Sequence, residues 1–213
     1  VHHQRGRAEG IDDPEVDIVA VWDECLERRV AGGQVQDDVT AVDRRRLAVE
    51  YEVRTNPCWP MPGLEACLRR VQDAGMLLGI VSNAQFYTLE MIRGLTGKTV
   101  DELGFDADLS IYSYRYLRAK PGEFLYRLAA GALAKRGIAV QNILYVGNDM
   151  LNDIQAASRV GFRTALFAGD RRSLRWRKDD ARVAGIVPDV VITDLLSFGD
   201  WIQSLPADPV RSS

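Results

Sequence analysis

The chain has few cysteines, no long apolar run and no strong excess of charge of one sign. Its three cysteines, Cys25, Cys58 and Cys67, are odd in number and lack a C-x-x-C spacing, which argues against a disulfide framework and a zinc site. The sequence has no run of about eighteen apolar residues, which excludes a membrane-spanning helix, and its first residues do not form a signal peptide. A net charge of −3 argues against a dedicated nucleic-acid binder. We therefore expect a cytoplasmic protein that binds neither nucleic acid nor membrane.

The composition is sufficient for a folded core, and the chain divides once. Of the 213 residues, 46% are hydrophobic, enough for one α/β domain and a small accessory domain. Apolar residues recur at helical spacing over residues 14–30 and 39–54, which predicts two helices. Three prolines within Asn56–Gly63 indicate a hinge. We predict a helical cap over residues 1–58 and an α/β core over residues 59–213.

The core sequence alternates between short apolar runs and amphipathic stretches. The runs predict strands at 77–82, 109–113, 143–147, 163–167 and 189–193, and the stretches predict helices at 62–74, 86–95, 122–136, 150–160 and 194–205. Strands separated by helices predict an α/β fold with a parallel, doubly wound, Rossmann-like sheet. Ligands of such sheets bind at the carboxyl ends of the strands.

Polar residues of a kind that binds phosphate and metal follow three of these segments. Ser82 offers a hydroxyl, with the backbone N–H groups of Asn83 and Ala84 beside it, and Lys120 offers a positive charge. After the strand at 143–147 come Asn148, Asp149 and Asp153, whose oxygens suit Mg²⁺. Each also has a simpler interpretation: Ser82 and Asn83 as a helix cap, Lys120 as a solvated lysine, and the aspartates as helix N-terminal charges.

These segments resemble the second, third and fourth motifs of the haloacid dehalogenase (HAD) superfamily. The residues that carry the resemblance are the strand ending in Ser82-Asn83, then Lys120-Pro121, then Gly147-Asn148-Asp149 with Asp153. The resemblance implies a HAD-like hydrolase in which Ser82, Asn83 and Lys120 bind phosphate, Ser82 and Lys120 take part in catalysis, and Asp149, Asp153 and Asn148 are the metal ligands. Many family members have Gly-Asp where this chain has Gly147-Asn148, and we favour Asp149, supported by Asp153, as the ligand because a carboxylate holds a divalent cation better than an amide.

The first family motif, Asp-x-Asp-x-Thr, is not found, so the nucleophile is unassigned. The nearest string, Gln36-Asp37-Asp38-Val39-Thr40, has glutamine at the nucleophile position and no apolar strand before it. In the resembling fold this motif ends a central strand, and the loss of that strand would leave unpaired backbone groups in the interior. We therefore expect a short segment with that strand to precede Val1 in the gene. Without the segment, we expect the chain to be nearly inert.

The resemblance implies a Mg²⁺-dependent phosphatase that acts on a small phosphorylated metabolite through an aspartyl-phosphate intermediate. Two alternatives stay open: a 2-haloacid dehalogenase, which uses a similar aspartate without metal, and a catalytically inactive HAD-like module that binds a ligand or partner. Oligomeric state is not predicted. The basic run from Arg171 to Lys178 is interpreted as solvated surface, with contact to an anionic substrate or a partner as its alternative.

Overall fold

The computed structural model describes residues 2–35 and 39–205, and its eight helices in these ranges surround five strands. Residues 36–38, within the string that resembles the first motif, lie outside the described residues. None of the helices in the described ranges is long and apolar enough to cross a membrane. The helices are α1 (His2–Ala8), α2 (Ile18–Ala31), α3 (Arg44–Thr55), α4 (Leu64–Asp73), α5 (Thr88–Thr96), α6 (Phe124–Ala134), α7 (Ala156–Val160) and α8 (Leu195–Ser204).

The strands pair in parallel in two groups, as the alternation of strands and helices predicts. They are β1 (Leu78–Ser82), β2 (Phe105–Tyr112), β3 (Leu144–Gly147), β4 (Arg163–Phe167) and β5 (Val190–Ile192). The first group is β1-β2 and the second is β3-β4-β5. Ser82 pairs with Tyr112, and Gly147 pairs with Leu166. The predicted α/β fold with parallel strands is confirmed.

The two groups face each other along β1 and β3, and side chains span the space between them. In the described residues β1 pairs with β2 alone, and β3 with β4 alone. The carbonyl of Val81 in β1 accepts a hydrogen bond from the Tyr145 hydroxyl of β3 at 2.8 Å. The edges of β1 and β3 that face each other are called the inner edges. Residues of both strands are open to solvent: Gly79 of β1 is exposed, and Val146 of β3 is 39% exposed. Each inner edge thus has backbone groups without a strand partner in the described part of the chain.

Hydrophobic clusters lie against both groups of strands. The cluster beside the inner edges joins Val81, Leu125, Tyr126, Ala157 and Phe162, so that β1, α6 and α7 form one layer. A second cluster packs α4 and α8 together. Its buried members are Cys67, Val71, Ile192, Phe198 and Ile202. These clusters pack the helices against the strands, at whose ends the candidate site lies.

Most predicted elements are present, but α1 was not predicted, β2 begins four residues before the strand predicted at 109–113, and two predicted helices differ in form. The helix predicted at 39–54 is a 3₁₀ turn at Val39–Ala41 followed by α3, because Asp43 caps α3 by accepting from the N–H groups of Arg45 and Arg46. The helix predicted at 150–160 begins as a π-helix over Met150–Gln155 and continues as α7. The boundary between cap and core near residue 58 stays a prediction.

Candidate functional site

The candidate site lies at the carboxyl ends of β1 and β3, where Lys120 joins the two strands. Its ammonium group donates to Asp153 Oδ1 at 2.6 Å, to the Tyr145 hydroxyl at 3.1 Å and to the Val81 carbonyl at 3.3 Å. Asp153 comes from the π-helix after β3, so the contact links the predicted third and fourth motifs. The structure therefore brings Lys120 and Asp153 together, although 33 residues separate them in the sequence.

Lys120 and Asp153 form a buried ion pair. Their side chains are 10% and 6% exposed. Burial alone would lower the pKa of Lys120, but its electrostatic interactions and hydrogen bonds with Tyr145 and Asp153 outweigh burial and raise that pKa. The site thus contains a lysine that stays charged at neutral pH. The solvated-lysine interpretation is wrong, because the ammonium group points inward and is paired.

Asn83 holds the backbone of Lys120. Its side-chain oxygen accepts from the Lys120 N–H at 2.7 Å, and its side-chain amide donates to the Lys120 carbonyl at 3.1 Å. The Ala84 N–H, expected to bind phosphate, donates instead to Ser113 Oγ at 2.9 Å. The Ser82 hydroxyl makes only a long contact, 3.3 Å, with the Asn83 carbonyl, so it can reorient toward a ligand. Ser82 therefore remains a candidate ligand group, whereas the Asn83 side chain positions Lys120.

The position of Asp153 depends on the glycine that ends β3. Asp153 Oδ2 accepts from the N–H groups of Asn148 and Asp149, both at 3.0 Å. A Cβ on Gly147 would lie 2.5 Å from the Asp153 Cγ, far inside van der Waals contact. The strand must end in glycine for the carboxylate to turn back onto the two N–H groups and face Lys120.

Asp149 has a different partner, which sequence reasoning missed. Its carboxylate lies against the guanidinium group of Arg177, with Oδ2 2.6 Å from Nη2. Burial alone would raise the pKa of Asp149, but the Arg177 hydrogen bonds and the N–H groups of Asn152 and Leu151 outweigh burial and lower it. Arg177 lies at the surface, as interpreted for the basic run, with its side chain 41% exposed, and it also pairs with Asp149. A sequence signal existed in the basic residues that follow a predicted strand end, but it did not single out one of them.

The hydrogen bonds made by the predicted metal ligands, Asp149, Asp153 and Asn148, do not favour a Mg²⁺ site. The Asp153 carboxylate is engaged by Lys120, Tyr145 and two backbone N–H groups, and the Asp149 carboxylate is engaged by Arg177 and two backbone N–H groups. The Asn148 side-chain amide donates to the Ser173 carbonyl at 2.7 Å. Over residues 2–35 and 39–205, no three His, Cys, Asp or Glu side chains are grouped in a way that could hold a metal ion. The residues do not fit Mg²⁺ as they are arranged.

A cavity of about 250 Å³ lies beside Lys120 and is lined in part by α1 and the segment after it. The Glu15 carboxylate in this segment accepts from the Ser113 hydroxyl at 2.6 Å, and the Asp13 carbonyl accepts from the Ala119 N–H at 2.7 Å. These bonds fasten the segment to the strand ends. Sequence analysis assigned no role to this region, although i,i+4 spacing places His3 and Arg7 on one face of α1. The polar lining residues are His3, Arg7, Asp13, Glu15, Asn83 and Lys120.

Comparisons of the fold find the same architecture in solved hydrolases. A HAD phosphatase from Thermococcus onnurineus aligns with a TM-score of 0.55 and 20% identity over 76% of this chain, which spans 65% of the length of that protein. An L-2-haloacid dehalogenase from Xanthobacter autotrophicus aligns with a TM-score of 0.58 and 19% identity over 90% of this chain and 78% of its own. At these identities the likeness shows the fold.

A sequence comparison points to the same superfamily. A family model described as HAD-hydrolase-like matches residues 117–197, which include Lys120, Asp149, Asp153 and Arg177. No curated protein matches the chain. The predicted resemblance to the HAD superfamily is confirmed, in the fold and in the sequence of its third and fourth motifs. The solved structures with this fold include both a phosphatase and a dehalogenase, so they do not distinguish between these activities.

Proposed function

We propose that the protein is a HAD-like hydrolase that acts on a small phosphorylated substrate at the Ser82–Lys120 site. The observation that carries the proposal is the buried, charged Lys120, which contacts the Val81 carbonyl of β1, the residue before Ser82, and Asp153 after β3. A preorganised cation in a site with little water stabilises the charge of a transferring phosphoryl group far more than an exposed one does. The cavity of about 250 Å³ beside Lys120 has room for a small ligand.

The ammonium group of Lys120 can exchange partners without losing its ion pair. Its contacts to the Val81 carbonyl and the Tyr145 hydroxyl, at 3.3 and 3.1 Å, are longer than its 2.6 Å contact to Asp153 and involve neutral groups. An anionic oxygen that enters between β1 and β3 would be the better partner for these two protons. Lys120 would then bind the substrate while Asp153 keeps it oriented.

The nucleophile is not assigned to any of the described residues. We infer that it acts in the space between β1 and β3, because Lys120 contacts both strands there, through the Val81 carbonyl and the Tyr145 hydroxyl. In the proposed reaction a carboxylate oxygen forms a bond to phosphorus as the P–O ester bond breaks, and a second carboxylic acid protonates the leaving alcohol oxygen. Water then hydrolyses the acyl phosphate to inorganic phosphate and the free carboxylate.

Binding of inorganic phosphate tests the proposal without requiring turnover. Titration into the purified chain, followed by ¹H–¹⁵N spectra, should shift the amide signals of Ser82, Asn83 and Lys120. Ser82→Ala should weaken binding about threefold to tenfold, the effect of one hydrogen bond, whereas Ser204→Ala at the exposed end of α8 should not. The proposal would be contradicted if phosphate shifted amide signals over the whole surface, or if Ser82→Ala left the shifts unchanged.

A 2-haloacid dehalogenase is the second candidate, and the paired carboxylates favour it. Asp149 and Asp153 each have a protein cation as partner, whereas the phosphatase reading expects carboxylates available for Mg²⁺. The same titration with 2-chloropropionate distinguishes the two. Shifts at Ser82 and Lys120 with 2-chloropropionate, and none with phosphate, would replace the phosphatase proposal with the dehalogenase.

A further inference from the structure

A basic loop, residues 173–177, is hydrogen-bonded at several points to the acidic turn after β3, residues 148–150. The Arg175 N–H donates to the Asn148 carbonyl at 2.8 Å, and the Met150 N–H donates to the Arg175 carbonyl at 2.9 Å. The side-chain amide of Asn148 donates to the Ser173 carbonyl at 2.7 Å. Loop residues 173–177 thus lie along residues 148–150 like a short strand, and the contact does not depend on long flexible side chains alone.

Arg177 ends this contact with its guanidinium group on Asp149. Its Nη2 is 2.6 Å from Oδ2, and its Nε is 3.2 Å from both carboxylate oxygens. Asp149 is 7% exposed, whereas the Arg177 side chain is 41% exposed, so the arginine covers the aspartate from the solvent side. Arg177 also has a φ of 55°, in the left-handed region that non-glycine residues seldom adopt. Such a conformation persists where the surrounding structure enforces it, often at functional sites.

The guanidinium group takes the space that a metal ion would need. A divalent cation such as Mg²⁺ or Ca²⁺ binds carboxylate oxygens at about 2.0 to 2.6 Å. Asp149 Oδ1 already accepts from the N–H groups of Leu151 and Asn152, at 2.9 and 3.2 Å, which leaves Oδ2 as its more available oxygen. Arg177 Nη2 lies at that oxygen. Metal binding at Asp149 would therefore require Arg177 to leave.

We propose that Arg177 is the resident cation of the acidic turn and excludes divalent metal ions from Asp149. The arrangement gives each acid of the fourth motif its own protein cation, Lys120 for Asp153 and Arg177 for Asp149. This inference goes beyond the proposed function and does not depend on which substrate the site binds. Arg177 acts on the site through Asp149, so it is a positioning residue.

Mn²⁺ is the probe that tests this, because it broadens the amide signals of residues near its binding site. In wild type, the ¹H–¹⁵N signals of residues 148–152 should broaden only with general surface binding. In Arg177→Gln, these signals should broaden at Mn²⁺ concentrations about tenfold lower, since one charge-assisted contact no longer competes. Arg171→Gln, an exposed arginine of the same basic run, is the matched control and should behave like wild type.

Two outcomes would overturn the proposal. One is selective broadening of residues 148–152 in wild type that Asp149→Asn abolishes, an arm that needs no Arg177 variant to fold. The other is an Arg177→Gln protein that folds, as shown by its spectrum, but binds Mn²⁺ no better than Arg171→Gln. The phosphate titration at Ser82 and Lys120 is a separate measurement. A negative phosphate result would therefore contradict the proposed function alone, and a negative Mn²⁺ result would contradict this inference alone.

Discussion

Replacing Lys120 with methionine should destabilise the fold strongly, because Asp153 would keep its charge without its cation. The pair is buried, with side-chain exposures of 10% and 6%. Removal of one partner from a buried ion pair costs about 3–5 kcal/mol, because an unpaired charge is left in the interior. Two backbone N–H groups would still bond to the Asp153 carboxylate, which places the expected loss toward the lower end of that range. In a domain of this size, it corresponds to a melting temperature lower by about 6–12 °C.

Urea unfolding followed by circular dichroism measures this loss directly. Lys98→Met is the matched control, because Lys98 also pairs with a carboxylate, that of Glu65, but both side chains are well exposed. Lys120→Met combined with Asp153→Asn should recover part of the stability, since the charge is removed while the amide oxygen can still accept from the backbone. The reasoning is refuted if Lys120→Met costs no more than Lys98→Met, or if the double variant is less stable than Lys120→Met.

Two further predictions concern alkaline stability and the glycine at the end of β3. Burial, followed by Glu52, raises the pKa of Tyr87 to about 12, so the stabilisation that Tyr87 contributes is complete below its unfolded value of about 10 and is lost between about pH 10 and 12. Tyr87→Phe should flatten the pH dependence of the unfolding free energy in that window, and an unchanged slope would contradict the assignment. Gly147→Ala should cost about 1–3 kcal/mol, because its Cβ would overlap Asp153. Gly131→Ala, with open space inside α6, should be neutral or stabilising by up to about 1 kcal/mol, and equal unfolding free energies for the two variants would count against the close approach at Gly147.

The strands were the most predictable part of the fold. The strand predicted at 163–167 is β4, with the same limits, and the strand predicted at 143–147 differs from β3 by one residue. β4 lies between β3 and β5 with Ala165 and Leu166 fully buried, as expected for an apolar run inside a parallel group, whereas β3 pairs with β4 alone in the described residues. The pattern also placed Ser82 and Gly147 at strand ends, from which the site could be predicted.

The π-helix at Met150–Gln155 was not predictable from periodicity. The Ile154 N–H donates to the Asp149 carbonyl five residues earlier, at 3.1 Å, so the first turn is wider than that of an α-helix. Over six residues, the apolar spacing of a π-helix does not differ enough from that of an α-helix to be recognised. The extra width follows local hydrogen bonds, including those of Asp153 to the backbone of Asn148 and Asp149.

The sequence by itself determined the parallel α/β fold and the candidate residues Ser82, Lys120, Asp149 and Asp153, because strand-end chemistry is local and is readable along the chain. Only the tertiary structure decided how these residues pair. Lys120 meets Asp153 and Arg177 meets Asp149 across separations of 33 and 28 residues. Charge alone does not choose among the many arginines, lysines and carboxylates of the chain. The choice depends on which loop the packed strands bring to the site, and that is a property of the whole fold.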